Sequence, residues 1–344
     1  MPRILLVNSN HEDYLADGVF HGLRTLLGAD VIDFPKAEYL YDTAGPAVLG
    51  RVRGGAFTLY GLLPDLAVDR DHLLPRALDG EFDLVIFGDI WRSFGLWTEW
   101  GPQLKAAGVP LAVLDGSDRV EPYPYAGLWW RVRSWWFLPR AHTRALSFKR
   151  EIVPATRWFA SYLMLPPALG RSLHLRPISF SIPESKIIDS ASHKDQEFAR
   201  HVVDEELAAR VGAQTSYAFA GEAEYRADLA RSRFGVTTKR AGWDALRHYE
   251  IAASATVPCF RDLERKPATC APFGLNAGNC LAYRDADDLL ARVARIGEDE
   301  YASLQAGALA WARANTTTAR ARELLSGCGI SLAGEEIPRT LYGG

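Results

Sequence analysis

The chain has 344 residues, a formal net charge of −3, and 48% apolar against 24% charged residues. That length suits two domains, and that balance suits an ordinary globular protein with a full core. The near-neutral charge argues against a general nucleic-acid binder and leaves only a local basic groove open; with no run of about 18 apolar residues, no membrane span is expected.

In chain order, "RILLVN" (3–8) is a short apolar run that ends in polar residues, the pattern of a buried parallel strand. "GVFHGLRTLLG" follows with helical spacing and a closing glycine. "DVIDF" (30–34), "FDLVIFGD" (82–89) and "VPLAVLDGSD" (109–118) read as further strands, with helices at "LLPRALDGE" and "GPQLKAAG" before the last two. Strand and helix in alternation predict a doubly wound α/β domain. Between 119 and 175 the rhythm breaks into an aromatic, basic stretch and then a linker-like "LMLPPALGRS". It resumes after "LRPISFSIP" (175–183): "KDQEFARHVVDEELAARVG" reads as a helix and "YRADLARSRFGVTT" as a helix entering a strand. "TVPCF" reads as a strand, "NCLAYRDADDLLARVARI" as strand then helix, and the final "EYASLQAGALAWARANTTTARARELL" as helical. The expected divisions are 1–165, 166–310 and a helical tail at 311–344. The four cysteines form no CxxC pair and read as reduced thiols, so the expected compartment is cytoplasmic.

The most informative stretch is "TTKRAGWDALRHYEIAASATVP" (237–258), which reads as the entrance, body and end of one helix. Positions i, i+4 and i+7 share a helix face, so Trp243, Arg247 and Glu250 would form one stripe. Thr238, Lys239, Arg240 and Gly242 stand at the entrance, where free amides and the helix dipole favour an anion. Asp244 competes with that role, because it suits a cap. Glu250 lies roughly 10 Å along the axis at 1.5 Å per residue. A diphosphate at the entrance and a ribose at Glu250 would fit this spacing. So would a surface Arg247–Glu250 pair beside a core Trp243.

"SRFGVTTKRAGWDALRHYEIAASATVPCFRDLE" with "YRDADDLLARV" after it resembles the donor-binding half of GT-B glycosyltransferases, and among them the exostosin-like and spore-coat-type members. The family pattern is a strand ending in a small polar loop, an R-x-x-E helix, then a "G-x-(I/V)-P" strand; here these are Arg247–Glu250 and "ATVP". A glycine of that pattern is replaced by Ser254 or Ala255. "LSFKRE" (146–151) and "RPISFSIP" (176–183) resemble segments around the family's interdomain crossover. The likeness runs over roughly 145–295 and is only fold-level over 1–120.

This resemblance implies two Rossmann-like domains facing across a cleft, with the C-terminal helices packing back. It implies a glycosyltransferase that uses a nucleotide sugar as co-substrate and needs no bound metal. Glu250 would bind the donor ribose. Lys239, Arg240 and the amides near Gly242 would hold the diphosphate, with Arg247 and Lys149 assisting. A base for the acceptor would come from "NSNHEDYLADG", where His11 and Asp17 are favoured over Glu12 and Asp13; helix capping by Asp13 or Asp17 competes with that reading. Asp89 and Asp118 read as loop caps after strands, and Asp287 as the cap of "DLLARV". "DRD" (69–71) and "DAD" (285–287) are too short to argue for a metal site. "LWWRVRSWWFLPR" would serve the domain junction, a second subunit, an acceptor or a membrane surface through Trp129–Trp136. The acceptor stays open between a glycan, a small natural product and a nucleic-acid base. A protein that binds the nucleotide without transferring a sugar is the alternative.

Overall fold

The structure is a computed structural model, which describes residues 1–123, 145–156, 174–190, 193–216 and 219–332. The described strands form two parallel sheets. The first takes β1 (Ile4–Val7), β2 (Val31–Phe34), β3 (Leu84–Phe87), β4 (Leu111–Asp115), β5 (Leu146–Lys149) and β6 (His174–Pro177), in the order β2-β1-β3-β4-β5-β6. The second has the order β10-β9-β8-β7, from β7 (Gln196–Phe198), β8 (Ser232–Thr238), β9 (Val257–Arg261) and β10 (Leu281–Tyr283). β1 and β3 are buried at every position because helices cover both faces, which is why they read as unbroken apolar runs. The strand order reverses beside β1, so the loops after β1 and β3 meet at a crevice at the sheet's carboxyl edge.

Helices α1 (Tyr14–Leu27), α2 (Pro46–Leu49), α3 (Leu73–Leu78) and α4 (Ile90–Ala106) belong to the first unit. Asp13 caps α1 by accepting from the amides of Leu15 and Ala16, at 3.1 and 2.8 Å. The second unit holds α5 (Glu205–Val211), α6 (Glu222–Arg231), α7 (Leu246–Ala253) and α8 (Ala286–Val293). The chain then runs through α9 (Glu298–Ala314), which packs on α7 and β9, and α10 (Thr317–Gly327), which packs on α1 of the first unit. The outward crossing near Ile182 and the return crossing near Thr316 lie side by side. The Ile182 amide donates to the Asn315 carbonyl at 3.1 Å, and the Thr317 amide donates to the Ile182 carbonyl at 2.9 Å.

The two-domain α/β expectation, with helices packing back, therefore holds, with corrections in detail. β6 joins the first sheet, so the first unit extends past residue 165 and the crossover falls after Pro177. The segment expected as one helix over 194–212 is β7, a loop and α5. Pairing of Gln196 with Ser232 and Phe198 with Phe234 takes the first part into the sheet, and Asp204 starts the helix by accepting from Leu207 N at 3.3 Å. α8 is capped by Asp285, which accepts from Asp288 N at 2.9 Å, whereas Asp287 pairs outward with Arg210. The linker-like 163–172 and the Trp129–Trp136 stretch lie outside the described residues. Among the described residues no helix is long and apolar enough to cross a membrane. All four cysteines are free thiols.

The seam between α1 and α10 depends on a missing side chain. A Cβ at Gly22 would fall inside the Thr317 carbonyl at the start of α10. His21 Nδ1 meets Thr317 Oγ1 at 3.0 Å one residue away. Gly22→Ala is expected to lower stability by about 1–3 kcal/mol through overpacking. Urea unfolding of the variant measures it, and an unchanged midpoint would mean that α10 is not clamped here.

Candidate functional site

The stretch 237–258 folds differently from a single helix, and the difference builds the site. Thr237 and Thr238 end β8, residues 239–244 form a loop, and α7 begins only at Leu246 with Ala245 as its N-cap. Trp243 is therefore in the loop, and only Arg247 and Glu250 of the expected stripe share the helix. Asp244 does not cap α7. Its carboxylate turns inward to accept from Phe180 N at 2.7 Å and Tyr249 OH at 3.0 Å, and burial pushes its pKa up to about 6. No side chain caps α7 at all. Its first amides and the positive end of its dipole are left to whatever approaches from the loop side.

Cations stand around that terminus. Lys239 and Arg240 are exposed in the loop, and the Lys239 ammonium lies 5.8 Å from the Trp243 ring centre. Arg247, in the first turn, donates to His201 Nδ1 at 2.8 Å. Burial and the Arg247 charge lower the His201 pKa to about 4, so the ring is neutral at pH 7. Accepting at Nδ1 puts its proton on Nε2, which lies 3.2 Å from the Thr215 carbonyl. Trp243 stacks on Phe260 with ring centres 6.3 Å apart. It forms one wall of an open pocket of about 660 Å³ that also touches Asp204, Thr238, Lys239, Arg261 and Arg265. This pocket sits over the carboxyl ends of β8 and β9, where open α/β sheets hold ligands.

His248, fully buried on α7, locks the loop. It lies 2.8 Å from Thr237 Oγ1 through Nδ1 and 2.9 Å from the Trp243 carbonyl through Nε2. The carbonyl only accepts, so Nε2 carries the proton and Nδ1 accepts from the Thr237 hydroxyl. Burial lowers its pKa from 6.5 to about 3. The folded value is depressed, so this stabilisation is complete above pH 6.5 and is lost as pH falls toward 3. By pH 5 the loss from this residue is about 2 kcal/mol. Comparing thermal midpoints at pH 7 and pH 5, wild type should fall more than His248→Gln; parallel slopes would mean that His248 does not titrate between the folded and unfolded states.

Several residues singled out in the sequence are placed differently from expectation. Glu250 is 8% exposed, and both its oxygens are taken: Oε1 accepts from the Thr58 hydroxyl at 2.5 Å and Oε2 from Tyr225 OH at 2.8 Å. Lys149 is fully buried, with Nζ 3.2 Å from Asp115, so it neutralises a strand-end carboxylate and does not reach the cleft. Asp17 is also sealed: Tyr39 OH, Tyr60 OH and the Asp13 amide all donate to it, at 3.3, 3.2 and 2.9 Å. Burial and the Asp13 charge push its pKa far above the carboxylate range. His11 is exposed in the loop after β1, where its carbonyl accepts from Tyr39 OH at 2.9 Å. Gly242 faces carboxylates. A Cβ there would meet Asp118 at 2.5 Å and Glu151 at 2.6 Å, and the neighbouring Asp244 amide donates to Glu151 at 3.1 Å. The amides near Gly242 are thus partly committed to the first unit, and the uncapped start of α7 is the better anion site.

Two residues outside the expected set gain weight. Asp13 is partly buried at the crevice, and burial with the nearby Asp89 charge raises its pKa to about 6. Arg150 is 2% exposed at the junction of the two units. It bonds Gly116 O at 3.2 Å, Asp244 O at 2.5 Å and Glu151 at 3.3 Å, pairs with Asp118, and lies 4.2 Å from the Phe180 ring centre. Asp89 does not cap α4 by its side chain; it accepts from Ser9 and Arg92 at 3.0 and 3.1 Å. Among the described residues no group of three His, Cys, Asp or Glu stands together so as to hold a metal ion.

No protein-family model and no curated protein matches this sequence. Solved structures do match its shape. The Anabaena protein HepE in complex with UDP superposes with a TM-score of 0.52 at 10% identity, over 95% of this chain and 99% of that one. HepE in complex with UDP-glucose gives 0.51 at 10% identity, over 96% and 100%. Sucrose-phosphate synthase from Thermosynechococcus elongatus gives 0.51 at 10% identity, over 94% and 97%. At these identities the likeness is one of fold: the chain has the two-domain GT-B fold of such glycosyltransferases.

Proposed function

We propose, for a chain with this fold, that it is a metal-independent glycosyltransferase moving a sugar from a nucleoside-diphosphate donor to an acceptor hydroxyl or amine. The observation that carries this reading is the uncapped start of α7, with Arg247 in its first turn and Lys239 and Arg240 exposed in the loop before it, beside a pocket lined by Trp243 and by both cations and carboxylates. Separate parts of the site suit separate groups of the donor. The Trp243 face offers a platform for the base, Thr238 lines the same pocket, and the amides and cations suit the diphosphate. Glu250, one turn further along α7, suits the ribose diol. The departing diphosphate gains negative charge as the glycosidic bond breaks, and fixed cations and amides aimed there lower the barrier.

For the acceptor, Asp13 replaces Asp17 as the base in this reading, with His11 as the neighbouring alternative. A carboxyl with pKa about 6 is mostly ionised at pH 7 and basic enough to take a hydroxyl proton. Asp17 would act through Asp13 by holding its amide. The acceptor itself is read only as a glycan, a small natural product or a nucleic-acid base. The HepE complexes with UDP and UDP-glucose support the donor class.

A thermal-shift panel of UDP, GDP, dTDP, ADP and CDP on wild type and Trp243→Ala tests the donor site. A diphosphate at 100 times its Kd should stabilise wild type by about 2.7 kcal/mol, and Trp243→Ala should lose most of that shift. No shift with any of the five would remove the reading. Release of the diphosphate from its nucleotide sugar, measured with EDTA present, separates enzyme from binder. A loss restored by a divalent cation would overturn metal independence.

A further inference from the structure

A loop of the first unit reaches into the second and lands on the carboxylate that the donor would use. That loop connects β2 to β3. Its root is fixed, because Tyr39 and Tyr60 both bond the buried Asp17. Its tip is contorted: Gly54, Gly55, Ala56 and Thr58 have φ of 67°, 73°, 58° and 72°. For Ala56, and above all for β-branched Thr58, that conformation is unfavourable and persists only where surrounding contacts impose it. Those contacts belong to the other unit. Phe57 is buried with Ala199, Phe219, Tyr225, Leu229 and Ile251, all from the second unit, and stacks on Tyr225 with ring centres 6.0 Å apart. Thr58 donates its hydroxyl to Glu250 Oε1 at 2.5 Å, while Tyr225 holds Oε2.

We propose that Phe57 and Thr58 form a built-in clasp that competes with the donor: the Thr58 hydroxyl holds the place on Glu250 that a ribose hydroxyl takes, so nucleotide binding releases the loop. This rests on the reading of Glu250 as the ribose carboxylate. The competition follows from space rather than valence, because a carboxylate oxygen can accept a second hydrogen bond but a buried one has little open side to accept it from. Glu250 is almost fully buried, and its two oxygens already accept one hydroxyl each. A diol addressed to it must displace Thr58, Tyr225 or both. Thr58 is the partner that yields, because its strained backbone relaxes on leaving, whereas Tyr225 sits within α6. The paired crossings at Ile182 and Thr316 give the two units an axis about which they separate. Arg53, at the start of the loop tip, is exposed and pairs with Glu12 at 3.3 Å. It reports release as a trypsin site.

The test uses the full chain as wild type, Thr58→Val and Thr58→Ser, titrated with UDP, GDP, dTDP, ADP and CDP by calorimetry. Valine keeps the β-branch and removes only the donor hydroxyl; serine keeps the hydroxyl. Thr58→Val should bind the preferred diphosphate about three- to tenfold more tightly than wild type, since one hydrogen bond no longer opposes binding. Thr58→Ser should stay within about twofold of wild type. Trypsin should cut after Arg53 faster in Thr58→Val, and faster in wild type once the diphosphate is added. Unchanged or weaker affinity in Thr58→Val, with wild type still binding, overturns the clasp and leaves the donor site standing. No binding by any of the three proteins overturns the donor site itself, and the clasp with it.

Discussion

Arg150→Met should unfold at markedly lower urea, with a loss of about 3–5 kcal/mol at pH 7.5, a large part of the 5–15 kcal/mol of a typical domain. The arginine is almost fully buried and neutralises Glu151 and Asp118 while donating to two carbonyls. Methionine fills much of its volume but takes the cation from buried Glu151 and this donor from the Gly116 and Asp244 carbonyls, and breaking a buried pair costs far more than the pair contributes. The deficit should also depend on pH. The Arg150 charge holds down the pKa of Asp244, which burial has already raised to about 6. Without the cation it rises further. A carboxyl whose folded pKa is raised destabilises the fold in full above that pKa, and the penalty shrinks as pH falls from there toward the unfolded value of 3.8. The gap between variant and wild type should therefore narrow from pH 7.5 to pH 5. A loss under 1 kcal/mol, equal at both pH values, would mean that water reaches these carboxylates.

Arg247→Ala is expected to lower kcat by roughly two to three orders of magnitude, the cost of removing one fixed group aimed at developing charge. Arg247 stands in the first turn of α7, steered by neutral His201 and lying 6.0 Å from the Tyr225 ring centre. Its position is thus fixed before any ligand arrives, which makes it more effective than the exposed Lys239. Arg247→Lys keeps the charge without the planar fork, which bonds His201 and in the proposed reading would also meet a phosphate, and should recover only part of the rate. Single-turnover kinetics with a nucleotide sugar of the diphosphate that the panel selects separates the chemical step from binding. If kcat stays within a factor of three and only KM rises, Arg247 merely binds the donor.

The fold was legible because parallel strands covered on both faces leave apolar runs such as "ILLV" and "LVIF". The crossover was placed too early because β6 follows the aromatic stretch and pairs only with β5, a contact that no local pattern announces. The helix expected over 194–212 shows the same limit. Its residues carry good helix propensity, and pairing of Gln196 and Phe198 with β8 overrides it. In the site, residue types were easier to read than directions. Lys149 and Arg150 are adjacent cations at the end of β5, and the alternation of a strand sends one inward to Asp115 and the other to the domain junction. Asp13 and Asp17 are one helical turn apart. Which of them is sealed depends on Tyr39 and Tyr60, which arrive from a distant loop. The Thr58–Glu250 bond joins residues 192 positions apart, and periodicity carries no trace of such a pair.

The docking of α10 on α1 has a consequence for biosynthesis. The core around β1 includes Leu15, Val19 and Phe20 from α1 together with Ala321, Leu324 and Leu325 from α10. A ribosome that adds about 5–20 residues per second needs roughly 15–60 s to travel from one helix to the other. Through that interval the groove of α1 beside Gly22 stays open while the second unit is completed. The first domain to be translated is then the last to be finished, and a nascent-chain chaperone that shields an apolar helix face would find its substrate in that window.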